Sequence, residues 1–155
     1  MRSVRRTASP GEGDAMRFEA DTEIDADVEQ VWAVLVDVPR WPEWTASVSR
    51  AERGEPGPLA VGATARLTQP KLRPAVWRVT ELTERQGFVW VSDTAGVRTT
   101  AEHRLVPLPD GRTRVELAVD QSGPLAGLIG RLCGGMLRRY VRMEADGLRR
   151  RSEQG

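Results

Sequence analysis

The chain has 155 residues, of which 39% are hydrophobic and 29% charged, the mixture of a single globular domain large enough to build a core without disulfides or metal. Its 23 basic and 22 acidic side chains leave a formal charge of +1, which argues against a broad positive field for nucleic acid. One cysteine, Cys133, and one histidine, His103, rule out an internal disulfide and a structural zinc site, and no run reaches the ~18 apolar residues that cross a bilayer. A protein of the reducing cytoplasm, without metal or cofactor, is the expectation.

Residues 1–15 carry arginines, glycines and a proline but no apolar periodicity, and are expected to form a disordered leader. Phe18, Ala20, Thr22 and Ile24 then alternate with Glu19, Asp21, Glu23 and Asp25, the pattern of a strand with one buried face. Asp25 or Asp27 can cap a helix whose Val28, Val31, Trp32, Leu35 and Val36 share a stripe, and Pro39 stops it. A second short helical turn is expected around Trp41 and Trp44.

After residue 45 the pattern changes to strands, approximately 46–53, 61–69, 74–84, 87–94, 97–107 and 112–121. The short connections, among them Ala95-Gly96 and Pro109-Asp110-Gly111, predict antiparallel neighbours. From Pro124 to Arg150, Leu125, Leu128, Ile129, Leu132, Met136, Tyr140 and Met143 recur at helical spacing and predict a long amphipathic helix with that stripe inward. Gly127, Gly130, Gly134 and Gly135 are costly in a helix; they kink it, make room beside it, or delay its start to near Leu132. One domain over 16–150 and a disordered tail over 151–155 complete the expected organisation.

Several segments together resemble one family. Ile24-Asp25-Ala26, Val28-Glu29-Gln30-Val31-Trp32 and Val38-Pro39-Arg40-Trp41-Pro42-Glu43-Trp44, with Trp77-Arg78-Val79-Thr80-Glu81 and Gly111-Arg112-Thr113-Arg114-Val115 further on, look like the START/Bet v 1-like (SRPBCC) superfamily and its bacterial polyketide cyclase/dehydrase and lipid-transport group. The resemblance runs from about Met16 to Arg150. It implies an α+β helix-grip fold: a curved seven-stranded antiparallel sheet around a long C-terminal helix, two short helices after the first strand, and an elongated cavity between sheet and helix. Fold alone does not choose among the ligands and activities that such proteins carry.

On strand alternation, Ala65, Leu67, Trp77, Val79, Phe88, Trp90, Ala101, His103, Leu105, Val115, Leu117 and Val119 share the inward face, with Val89 and Val91 the equally apolar alternative to Phe88 and Trp90 if that strand slips by one residue. The candidate ligand wall is Leu67, Trp77, Val79, Trp90, Ala101, His103, Leu117 and Val119 from the sheet, with Leu132, Met136 and Tyr140 from the last helix. His103 is the candidate acid or base, since imidazole changes charge near neutrality, although a histidine in a strand also serves as a satisfied buried group. Tyr140 can donate to a ligand carbonyl or to a backbone oxygen. Arg131, Arg138, Arg142 and Arg149 align along one flank of the last helix, a solvated face or a weak contact for an anionic surface. Paired carboxylates, phosphate-binding glycine loops and Ser-His-Asp spacing are missing as local motifs. The favoured function is binding of a small hydrophobic metabolite, lipid or polyketide-like. A polyketide cyclase, aromatase or dehydratase-like activity using His103 and Tyr140 comes second, and a macromolecular partner bound through the arginine flank third.

Overall fold

The computed structural model describes residues 16–155; the leader expected over 1–15 lies outside the described residues. Strand β1 (Met16–Ile24) buries Phe18, Ala20, Thr22 and Ile24 and turns the intervening side chains outward, as the alternation requires. Helix α1 (Val28–Val36) begins at Asp27, whose carboxylate accepts the Gln30 N–H at 2.9 Å, so Asp27 rather than Asp25 satisfies the first-turn donor. The chain then tightens into a 3₁₀ turn, Val38–Glu43. There the Trp41 indole donates to the Leu35 carbonyl at 2.9 Å, folding the turn back on α1.

Six more strands follow: β2 (Arg50–Arg53), β3 (Thr64–Thr68), β4 (Ala75–Thr83), β5 (Gly87–Thr94), β6 (Val97–Pro107) and β7 (Thr113–Ser122). With β1 they make one antiparallel sheet in the order β1-β7-β6-β5-β4-β3-β2. β2 and β3 are shorter than the pattern predicts. Before β2, the Thr45 and Ser47 hydroxyls bond each other at 2.6 Å in place of a regular ladder, the usual competition between short polar side chains and strand pairing. Ala95 and Gly96 both adopt positive φ, 47° and 80°, the geometry of the two-residue turn that joins β5 to β6. A register shift between Val79 and Glu81 bends β4, and such bulges curve a sheet.

Helix α2 (Ala126–Glu153) is unbroken. It starts close to the expected Pro124, so the glycines do not delay it to near Leu132, and one expectation is corrected: residues 151–153, expected in a disordered tail, form its last turn. Ser152 is fully buried, its carbonyl accepts from the Gln30 side chain, and Glu153 accepts the Asp25 N–H at 3.0 Å. Arg151 reaches Glu43 of the 3₁₀ turn at 3.2 Å.

The inward face of α2 also differs from the predicted stripe. Ala126, Gly130, Gly134, Val141, Ala145 and Leu148 are buried, whereas Leu125, Leu128 and Leu132 are 42%, 55% and 73% exposed. The glycines allow the helix axis to lie close against β1: a Cβ on Gly130 would overlap the Met16 side chain, and Gly134 faces the Phe18 ring. At about 100° per residue, seating the small residues on β1 turns Leu128 and Leu132 to the far side. Hydrophobicity alone misassigned the face because close backbone approach selects small side chains over large ones.

Candidate functional site

Strand pairing lays the inward residues out in rows. One row runs Phe18, Val119, Ala101, Trp90, Val79, and the next runs Ala20, Leu117, His103, Phe88, Leu82. Phe88 and Trp90 are each 2% exposed, so they, and not Val89 and Val91, face the core. Trp77, Trp90, Trp41 and Trp44 form a continuous aromatic wall, with successive centroids 5.6, 5.2 and 5.5 Å apart.

His103 sits inside this wall. Its ring stacks on Phe88 at 4.2 Å and meets the Trp90 edge at 5.7 Å. Gly87 makes the close pairing of β5 and β6 there possible: its φ is +151°, and a Cβ would overlap the His103 carbonyl oxygen. His103 Nδ1 lies 3.3 Å from the Phe88 carbonyl, which only accepts, so Nδ1 carries the hydrogen. Nε2 lies 3.2 Å from Glu144 Oε1, close but without hydrogen-bond alignment. His103 is the deeper member, its side chain 3% exposed against 18% for Glu144.

Glu144 was missed in the sequence. The signal was there: Leu137, Val141, Glu144 and Leu148 stand at i, i+4, i+7 and i+11, an acid on a helical stripe that is otherwise apolar.

Leu67, Trp77, Val79, Trp90, Ala101 and Leu117 are buried as inward residues, and Val119, Met136 and Tyr140 are half-buried. One candidate is corrected. Leu132 is on the solvent face of α2 for the packing reason above. Tyr140 donates its hydroxyl to the Pro70 carbonyl, the backbone-oxygen alternative, and ties α2 to the β3–β4 connection. The arginine flank is partly engaged within the chain. Arg138 stands 5.6 Å over the Phe18 ring, Arg142 donates to the Asp21 carbonyl and pairs with Asp146 at 3.2 Å, and Arg149 pairs with Glu153 at 3.3 Å.

A second layer was also invisible beforehand. One row beyond Trp90, the register aligns Met16, Gln121, Thr99 and Ser92 on the inward face. Ser92 Oγ, Gln121 Oε1 and the Trp44 and Trp77 indole N–H groups are buried without a hydrogen-bond partner among the described residues. Two open grooves are lined by other parts of the chain. One of about 820 Å³ runs between the start of α1, the β4–β5 hairpin and the end of β6, with Phe88 and His103 in its lining, and one of about 600 Å³ lies between the end of α1 and the segment Arg53–Leu59; neither includes a residue of α2.

A bent antiparallel sheet closed by one long C-terminal helix, with an aromatic and sparsely polar interior, defines a helix-grip protein. The chain belongs to the polyketide cyclase / dehydrase and lipid transport family, whose profile matches residues 15–153. The fold is similar to that of the hypothetical protein jhp0584 from Helicobacter pylori, with a TM-score of 0.80 at 16% identity over 98% of this chain and 97% of that one. It is also similar to a START superfamily protein from Mycobacterium smegmatis (TM-score 0.67, 14% identity, 86% and 97% covered) and to TTHA0849 from Thermus thermophilus (0.71, 17%, 88% and 97%). No curated protein matches the chain. No helix is long and apolar enough to cross a membrane among the described residues.

Proposed function

We propose that the protein binds a small, largely hydrophobic metabolite, of lipid or polyketide type, between the concave face of the sheet and α2. The observation that carries this reading is the set of buried polar atoms at Trp44, Trp77, Ser92 and Gln121 that no group among the described residues bonds, in an interior that is mostly aliphatic and aromatic beside the His103–Glu144 pair. An unpaired buried polar group costs about 1–3 kcal/mol, so several together favour a guest that supplies a few hydrogen bonds within a mainly apolar body. The half-buried single thiol, Cys133, suits a cytoplasmic setting.

The test is native mass spectrometry of protein purified from its own host, followed by extraction and titration with long-chain lipids and aromatic polyketides, read by tryptophan fluorescence. Retained or titrated ligand with altered indole emission is the expected result. An empty protein whose emission answers to no compound in either class overturns the reading.

A second reading, proton transfer on a ketone-bearing guest, is favoured by the His103–Glu144 pair. Glu144, nearer the surface, would meet the substrate and take its proton, while His103, fixed by Phe88, would hold that carboxylate in position. On a polyketide that the protein turns over, Glu144→Gln and His103→Asn should each lower kcat by at least about a hundredfold while leaving fluorescence-detected binding in place. Full turnover by either variant rules the reading out.

A further inference from the structure

Among the described residues, the exposed face of α2 is unpartnered, and it is chemically graded. Its first turns present Leu125, Leu128 and Leu132 to solvent, at 42%, 55% and 73% exposure. Large exposed leucines succeeding one another on one helix face mark a contact surface more often than isolated ones do. From Ala126 to Met143 the helix contains no acid but carries Arg131, Arg138, Arg139 and Arg142. Arg131 and Arg139 are exposed and flank the leucines, and the Tyr140–Pro70 bond brings the connection bearing exposed Lys71 and Arg73 alongside the same helix. The nearest acid of the β5–β6 hairpin, which Leu125 touches through Gly96, is Asp93, and Arg98 holds it through two bonds of 2.9 and 3.2 Å. In a chain whose net charge is only +1, this is a local concentration of cationic and apolar groups with its neighbouring carboxylate neutralised.

We propose that this face docks the protein on an anionic phospholipid surface, the leucines entering the headgroup boundary and the arginines meeting lipid phosphates. An amphipathic helix face with apolar residues on one part and unopposed arginines beside them has that affinity for the interface. The inference does not depend on what the interior binds, because none of these side chains belongs to the inward rows.

Flotation of the full chain with vesicles of phosphatidylcholine and phosphatidylglycerol at 3:1, against phosphatidylcholine alone, tests it. Binding is expected on the anionic vesicles, reduced on neutral ones and in high salt. Arg131→Gln with Arg139→Gln should weaken it roughly fivefold per charge, and Leu128→Ser with Leu132→Ser on the order of tenfold per leucine. All four positions are exposed, so unchanged circular dichroism and melting separate loss of docking from loss of folding. Absence of wild-type binding to the anionic vesicles, or undiminished binding by the leucine variant, overturns the proposal. So does a concentration-dependent dimer in sedimentation that Leu132→Ser abolishes together with no vesicle binding, which assigns the face to a second copy of the chain.

Discussion

Arg17, at the start of β1, shows how one side chain balances opposing terms. Its guanidinium bonds Glu19, pairs with Glu102 at 3.3 Å and holds Asp120 across the β1–β7 pair. Burial pushes the Asp120 carboxyl above its ordinary range; Arg17 pulls it back and Glu102 raises it further. A carboxyl raised in the folded state is penalised as the anion, so the penalty is present above its folded pKa and fades as pH falls through it. Asp120→Asn keeps the shape and removes the charge. Because the group is more than a third exposed, the effect is small, below about 1 kcal/mol. The variant should melt about 1–3 °C higher at pH 7 and should lose that advantage in acid, where the wild-type carboxyl is protonated. A lower melting point at pH 7 would mean that the pairing with Arg17 outweighs burial. At the same scale, His103 was legible as a chemistry-bearing residue on the inward face, since alternation alone placed it. Its partner was not, because the contact joins β6 to a helix 41 positions later and depends on the rotation of that helix.

At the scale of the element, α2 is decided by its glycines, and they are not equivalent. At Gly135 an added Cβ meets nothing within 4 Å, whereas at Gly147 it would overlap the Trp44 carbonyl oxygen. Gly135→Ala should therefore stabilise the protein by about 0.5–1 kcal/mol through helix propensity. Gly147→Ala should destabilise it by about 1–3 kcal/mol or more, since the backbone of the 3₁₀ turn must retreat. Chemical denaturation of the pair reads both signs, and equal effects would deny the close approach of α2 to the turn. The helix itself, its length and its amphipathic character were readable from spacing; which face goes inward was not. Periodicity reports that apolar residues recur, but a helix pressed against a strand buries whatever lets the backbones approach, here Gly130 and Gly134 against Met16 and Phe18.

On the scale of the whole molecule, the grip is closed by the last turn of α2. Gln30 of α1, Asp25 of the β1–α1 corner and Glu43 of the 3₁₀ turn all bond residues 151–153. The Asp25 N–H also lowers the Glu153 carboxyl below its usual range, so this bond favours folding above that range and is lost in acid. Removing residues 151–155 deletes the buried Ser152 together with these contacts, and should cost about 2–3 kcal/mol in a denaturation series. An unchanged midpoint would return the segment to the status of a tail.

The helix-grip class was legible through the resemblance of several motifs to a known family; what the sequence by itself determined otherwise is local and periodic: the order of strands and helices, the antiparallel connections, the inward side of most strands and an Asp-capped start of α1. These depend on alternation, turn chemistry and capping, which act between residues close together in the chain. Only the tertiary structure decided the rotation of α2, the pairing of His103 with Glu144, the engagement of Tyr140 with Pro70 and the exposure of Leu128 and Leu132. Each of these depends on how far apart two distant backbones come to rest, and that distance is set by the packing of both partners at once.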